Sequence, residues 1–185
     1  MINQQELENL TKQIVARLER ECSLQSLRGR ILVPVGVTAR HIHLTREVLD
    51  ALFGKGYELQ RLRDLSQPGE FAARETVTIV GPSGRPIENV RLLGPLRSYT
   101  QVELARSDGI RLGLDLPIRR TGDLAGTPGL TLIGPRGTVI LKQGAIRPTR
   151  HIHMTEFDAE KFGLSNGQVV RVKVCLLYTS PSPRD

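Results

Sequence analysis

The spacing of hydrophobic and polar positions changes near residue 31 of this chain. Before it, apolar side chains recur every three to four positions, which predicts an amphipathic helix within residues 1–22. Its apolar stripe consists of Leu7, Leu10, Ile14 and Leu18. Residues 23–30 break this periodicity with charge and glycine, and we interpret them as a linker. The helix either packs on the domain or serves as a docking or targeting tag, and the pattern leaves both interpretations open.

From Ile31 onward, short apolar runs alternate with tight turns. A strand followed by a Gly-Pro-x-Gly turn occurs at residues 76–84 and again at residues 129–137. Short helices that begin at a threonine N-cap and end at Phe-Gly are predicted at residues 45–54 and 155–163. Both signals recur in the second part of the chain, which indicates a duplicated unit.

The predicted fold is therefore mainly β. It comprises two small β-barrel-like halves, residues 31–95 and 96–174, with short helices and the N-terminal amphipathic helix. A chain of 185 residues with 39% hydrophobic residues is long enough for one large domain or two small ones with cores.

The four histidines of the chain all lie in two His-Ile-His tripeptides, at residues 41–43 and 151–153. In a strand, residues i and i+2 point to the same face, so each tripeptide directs two imidazoles one way and its isoleucine the other. Neutral imidazole is a common zinc ligand, and the two pairs could close one site where the halves meet. One such tripeptide could equally be a surface strand. Two copies with shared flanks favour a metal site over a duplicated, metal-free structure.

A carboxylate candidate lies between the tripeptides. If residues 101–104 form a strand, Val102 and Leu104 share one face and Glu103 emerges on the other. Glu103 is then a candidate metal ligand, and its alternative interpretation is a solvated strand glutamate.

Composition narrows the class of partner. The chain has 26 basic and 19 acidic residues, a net charge of +7, which favours an anionic partner. The basic residues are scattered and aromatic residues are few, so a small phosphorylated ligand is favoured over nucleic acid. Arg97 suits a phosphate because its planar guanidinium matches an oxyanion, although a surface arginine is the alternative. The glycine-rich segment 119–129 could also approach a phosphate closely, or be only a series of turns.

Other classes of protein are disfavoured. The sequence has no apolar run of membrane-spanning length and no secretory signal pattern, which predicts a protein of the reducing cytosol without a membrane partner. Cys22 and Cys175 lie in unlike contexts, so neither a disulfide framework nor a cysteine zinc site is predicted. Walker, GxSxG and helix-opening GxGxxG motifs are also missing from the sequence.

The chain resembles the propanediol-utilisation type phosphotransacylases, also called phosphate propanoyltransferases, from about Ile31 to Val174. The shared runs, in order, are VPVGVTARHIHLT, DLSQPGEFAARETVTIVGP, VRLLGPLRSYTQVELAR, GDLAGTPG and RHIHMT. Several long motifs in one order are far more specific than a His-Ile-His tripeptide alone.

The resemblance implies a pair of β-barrels that hold two zinc ions and interconvert acyl-CoA, such as propanoyl-CoA, and phosphate with acyl phosphate and CoA. The metal ligands of the family fall on His41, His43, Glu103, His151 and His153. The catalytic arginine that binds phosphate falls on Arg97. A hydroxyl residue of the phosphate site, usually serine, falls on Thr121.

The resemblance also bears on location and assembly. Residues 1–22 are similar to peptides that target family members into a bacterial microcompartment, so its shell or core proteins are expected partners and its lumen the expected location. The sequence leaves a homo-oligomer open.

The tail departs from the family. Members continue after Val174 with strands that carry one more histidine ligand, whereas residues 175–185 contain no histidine. We expect that this tail is not native family sequence, and that the second half and its metal site are incomplete. The alternatives to phosphate acyl transfer are a catalytically impaired or non-catalytic zinc-stapled microcompartment protein, or a metal-dependent thioester hydrolase.

Overall fold

The computed structural model describes residues 25–27, 30–33, 40–65, 67 and 69–173. The strands are β1 (Gln25–Leu27), β2 (Arg30–Leu32), β3 (His41–His43), β4 (Arg61–Asp64), β5 (Phe71–Val80), β6 (Pro86–Gly94), β7 (Gln101–Glu103), β8 (Ile118–Arg119), β9 (Thr131–Ile133), β10 (Thr138–Ile140) and β11 (Ala145–Pro148). The helices are α1 (Arg46–Phe53), α2 (Arg106–Leu112) and α3 (Glu156–Lys161). The mainly β fold class is confirmed, since the three described helices contain only 8, 7 and 6 residues.

The chain divides into two compact units, residues 34–153 and residues 1–33 with 154–185. The described part of the first unit is a curled half-barrel sheet of nine strands in the order β10-β9-β5-β6-β3-β7-β11-β8, with β4 paired to β5. Its longest pairing is the antiparallel hairpin of β5 and β6. Strands from both sides of residue 95 join this one sheet, and the division into two barrel-like halves stays a prediction.

The first His-Ile-His tripeptide forms β3, in the middle of this sheet. β3 runs parallel to β6 and antiparallel to β7, and His41 lies opposite Glu103 while His43 lies opposite Gln101. Because side chains alternate along a strand, these four polar residues share one face and Ile42 is on the other.

The opposite face of β3 and β7 packs into the core. Ile42, Leu92 and Val102 are each 0% exposed, and Leu104 is 1% exposed. The expectation that Val102 and Leu104 share the apolar face of their segment therefore matches the structure. The strands that carry the polar residues are held by a fully desolvated apolar layer, which stabilises their register.

Helix α1 follows β3 directly and fits the predicted helix at residues 45–54. Thr45 is its N-cap, and its hydroxyl accepts a hydrogen bond from the Val48 backbone N–H. Gly54 ends the helix with a φ of +105°. Leu49 and Leu52 are buried and fasten α1 to the core.

The two Gly-Pro-x-Gly turns each contact the end of a helix. In the first turn, the Ser83 N–H donates to the carbonyl of Leu112, the last residue of α2, at 3.1 Å. In the second, the Arg136 N–H donates to the carbonyl of Leu52, near the end of α1, at 2.9 Å. A Cβ added to the first glycine of either turn would collide with that leucine, so both turns need glycine there.

The described part of the other unit contains a pair of strands and a helix. β1 and β2 pair antiparallel, so residues 25–27, expected within a linker, instead form a strand. Helix α3 begins after the N-cap Thr155, whose hydroxyl accepts from the Asp158 N–H at 3.1 Å, and fits the predicted helix at 155–163.

The amphipathic helix predicted at residues 1–22 and the tail at residues 175–185 lie outside the described residues, so both expectations stay predictions. Among the described helices, none has the length and apolar character needed to cross a membrane.

Candidate metal centre

Two neighbouring strands bring three potential metal ligands together. His41 and His43 come from β3 and Glu103 from β7, and one donor atom of each lies within 4.8 Å of the others. The antiparallel register places His41 directly opposite Glu103, and alternation along β3 brings His43 to the same face. Three of the five predicted metal ligands thus lie close together, as a group that could hold a metal ion.

His43 is a buried imidazole that the protein leaves partly unsatisfied. It is 3% exposed, and its Nδ1 atom has no hydrogen-bond partner within the described part of the chain. Burial, followed by the positive charges of Arg97 and His41, lowers the pKa of His43 from 6.5 to about 3. The ring is therefore neutral near pH 7 and keeps a lone pair for a metal ion.

Glu103 supplies a negative charge at the same place. It is 5% exposed, and its Oε2 atom lies 3.4 Å from His41 Nε2. Burial on its own would raise the pKa of Glu103, but the hydrogen bond and charge of His41, with smaller contributions from His43 and Gln101, outweigh it and lower this pKa. The carboxylate of Glu103 is therefore ionised and lies beside two imidazoles.

These residues fit the zinc that the resemblance implies. Two imidazoles and one carboxylate match the nitrogen and oxygen donors that zinc takes in proteins. A buried ring nitrogen without a partner is unfavourable in the protein alone and becomes favourable when a cation binds it.

The second tripeptide has a different local structure. Residues 151–153 follow β11 as irregular chain rather than as a strand, and both histidines are exposed. Their Nε2 atoms lie 3.0 Å apart, and the amide nitrogen of Gln67 lies 3.2 Å from His153 Nδ1. The Nδ1 atom of His151 lies 2.6 Å from the Thr149 carbonyl, which can only accept, so this nitrogen carries the proton and Nε2 is left with a lone pair.

His151 and His153 do not belong to the three-residue cluster of His41, His43 and Glu103, although all five are predicted ligands. Their rings are nevertheless within electrostatic range of the site. Burial and the charge of His151 lower the pKa of His153, and the charges of Glu70 and Glu103 oppose this shift. The assignment of the second pair to the same centre stays a prediction.

Arg97 approaches the same site from the loop between β6 and β7. Its backbone N–H donates to the Leu44 carbonyl at 2.9 Å, which ties this loop to the end of β3. The guanidinium donates to Glu70 Oε1 at 2.7 Å and to the Tyr99 hydroxyl at 3.4 Å. Since the charge of Arg97 also acts on the pKa of His43, a cationic group with donors for an anion lies near the candidate metal site.

Thr121 lies at an exposed turn after β8. Its neighbour Gly122 donates its backbone N–H to Gln101 Oε1 at 2.8 Å. A Cβ added to Gly122 would lie 3.6 Å from the Tyr99 hydroxyl, the group that also accepts from Arg97. Tyr99 thus accepts a hydrogen bond from Arg97 and lies beside the turn that contains Thr121 and Gly122.

Sequence reasoning did not identify Gln101, Glu70, Tyr99 or Gln67 as site residues. Gln101 alone had a usable signal, because strand alternation places it on the same face as Glu103. Glu70 and Gln67 enter from a loop that precedes β5, and their approach depends on tertiary folding.

Most of the chain is similar in sequence to proteins of one known family. The family model described as phosphate propanoyltransferase matches residues 34–178. A phosphate propanoyltransferase of Thermotoga maritima is 53% identical over 150 residues, which cover 81% of this chain and 71% of the relative. Enzymes of the same name from Lachnoclostridium phytofermentans and Priestia megaterium are 46% and 48% identical over 91% and 92% of this chain, and over 78% and 76% of their own lengths.

Proposed function

The chain belongs to the phosphate propanoyltransferase family of acyltransferases, and from this premise we propose that it interconverts propanoyl-CoA and phosphate with propanoyl phosphate and CoA at a di-zinc centre. The observation that carries the proposal is the cluster of His41, His43 and Glu103 with the Arg97 guanidinium near it. A cation site and an anion-binding arginine together can bind phosphate and stabilise the negative charge that develops when it attacks a thioester.

In the proposed reaction, an oxygen of inorganic phosphate attacks the thioester carbonyl carbon. The new C–O bond forms, the C–S bond breaks, and CoA leaves as a thiolate that takes up a proton. Arg97 binds the phosphate and offsets part of its charge, and the Thr121 hydroxyl adds a directional hydrogen bond. Tyr99 supports Arg97, since its hydroxyl accepts a hydrogen bond from the guanidinium at 3.4 Å.

His41, His43 and Glu103 would hold one zinc ion, and His151 and His153 would contribute to the second. When bound, zinc supplies Lewis-acid stabilisation of the negative charge that develops on the substrate. The neutral state of His43 and the ionised state of Glu103 support this assignment, because both are the forms that bind metal.

The first experiment measures CoA release from propanoyl-CoA as a function of phosphate concentration. Arg97→Ala should raise the KM for phosphate or lower kcat by roughly 100-fold or more, because it removes the guanidinium that binds the anion. Arg85→Ala is the matched control, because Arg85 is exposed in the turn between β5 and β6. Equal rates for the protein and Arg97→Ala at every phosphate concentration would remove Arg97 from the site.

Bound zinc is measured separately by elemental analysis. His41→Ala should reduce the zinc content, whereas Glu88→Gln, at an exposed position of β6, should leave it unchanged. Full zinc stoichiometry in His41→Ala would reject the ligand assignment.

The same assays separate the alternatives. Thioester loss that proceeds without phosphate would identify a hydrolase. Stoichiometric zinc with no CoA release under any condition would identify a zinc-stapled protein without turnover.

A further inference from the structure

Gln101 is a fully buried amide whose two ends are both bonded. Its side chain is 0% exposed and projects from β7 on the face that carries Glu103. The Nε2 atom donates to Glu103 Oε1 at 2.6 Å, and the Oε1 atom accepts from the Gly122 N–H at 2.8 Å. Burying an amide is unfavourable unless it is hydrogen-bonded, so these two contacts account for its presence in the interior.

The hydrogen bond from Gln101 gives the two carboxylate oxygens of Glu103 different surroundings. Oε1 receives the Gln101 N–H, which leaves Oε2 toward His41 Nε2 at 3.4 Å. The terminal torsion of a glutamate is broad, so a free carboxylate would rotate between many orientations. Gln101 therefore selects one orientation of the metal-facing oxygen.

The contact to Gly122 fixes a second element. Gly122 has a φ of +86°, and Thr121 precedes it in the same turn. A single side chain thus joins the candidate metal ligand on β7 to the turn that carries the predicted phosphate-binding hydroxyl. Two hydrogen bonds, through Gln101, therefore connect the position of Glu103 to the position of this turn.

We propose that Gln101 is a positioning residue that couples the two halves of the site, so that zinc binding at Glu103 and phosphate binding at the Thr121 turn strengthen each other. The inference rests on the proposed function for its phosphate half. Coupling between two binding equilibria is reciprocal: phosphate tightens zinc by the same factor by which zinc tightens phosphate.

The experiment measures binding and requires no turnover. The zinc dissociation constant is obtained by competition with a chromophoric chelator, with and without saturating inorganic phosphate. The phosphate dissociation constant is obtained by calorimetry, with and without zinc. In the unaltered protein both ratios should agree and exceed roughly fivefold, within the range of typical coupling energies.

Gln101→Met removes both hydrogen bonds with little change in volume. It should weaken zinc binding by roughly 10- to 100-fold, the usual effect of removing a group that orients a metal ligand, and reduce the coupling factor to about 1. Gln101→Glu keeps an acceptor for Gly122 but loses the donor to Glu103, and it should lose the coupling as well. Gln143→Met, at an exposed glutamine, should behave like the unaltered protein.

A coupling factor that stays within twofold of the original in either folded Gln101 variant would overturn the inference. An unaltered protein that shows no coupling, or binds no zinc, would overturn it too. The test stands apart from the proposed function: a protein that couples zinc to phosphate but releases no CoA would leave the inference standing and refute the activity. Full activity with unchanged coupling in Gln101→Met would refute the inference and leave the proposed activity standing.

Discussion

Replacing Ile42 with alanine tests the register that directs His41 and His43 to one face of β3. Ile42 is 0% exposed and lies between Leu92 and Val102, which are equally buried. Removing three carbon groups loses about 2.4 kcal/mol of transfer free energy, at roughly 0.8 kcal/mol each. The cavity adds up to about 2 kcal/mol, so the free energy of unfolding should fall by roughly 2–5 kcal/mol.

The assay is urea denaturation of the metal-free protein, so that zinc binding does not contribute to stability. Circular dichroism is the suitable signal because the chain has no tryptophan. With a slope of roughly 2 kcal/mol per molar urea, the midpoint should fall by about 1 to 2.5 M. Ile140→Ala is the matched control: Ile140 is 77% exposed on β10, and its loss should change stability by no more than about 0.5 kcal/mol.

A loss below about 1 kcal/mol for Ile42→Ala would refute the reasoning. It would mean that Ile42 does not pack between β6 and β7. The assignment of His41 and His43 to the opposite, metal-facing side would then lose its physical basis, because alternation fixes both faces together.

Three further predictions concern the site and its support. Removing zinc with a chelator should lower the melting temperature by roughly 5–10 °C relative to protein in 100-fold excess of zinc over Kd, and an unchanged melting temperature would contradict zinc binding to the folded state. Glu70→Gln should lower the KM for phosphate roughly threefold to tenfold, because it removes a negative charge that lies 2.7 Å from the Arg97 guanidinium and repels the anion. A higher KM would show that Glu70 chiefly orients Arg97. Tyr57→Phe should reduce the free energy of unfolding by about 1.5 kcal/mol, because its hydroxyl donates to the buried Glu75 carboxylate at 2.9 Å; an identical urea midpoint would disprove this contribution.

In the first half of the site, the direction of each side chain was predictable because it depends only on alternation along one strand. A period of two fixes the direction of His41, Ile42 and His43 once β3 is a strand, and the same rule places Glu103 opposite the apolar side of its segment. The helices after Thr45 and Thr155 were predictable for the same reason, since an N-cap acts on the next three residues.

The second half of the site depended on tertiary contacts that no local pattern encodes. Residues 151–153 have the same sequence as β3 but are not in a strand. A tripeptide becomes a strand only where neighbouring strands supply hydrogen bonds, as β6 and β7 do for β3. The Gln101 contact with Gly122 likewise spans 21 positions, so alternation along β7 predicts the face on which Gln101 lies but not this partner.

The Gly-Pro-x-Gly turns have a consequence for how this chain can be divided. The turn that begins at Gly81 closes the end of α2, which comes later in the chain, whereas the turn that begins at Gly134 closes the end of α1, which comes earlier. The part of the chain before residue 95 thus provides a hydrogen-bond donor at the end of α2, and the part after residue 95 provides one at the end of α1. A fragment cut at this position would contain a helix whose last carbonyl groups have lost their donors, so we expect the two pieces to fold only when both are present, as complementary fragments rather than as separable modules.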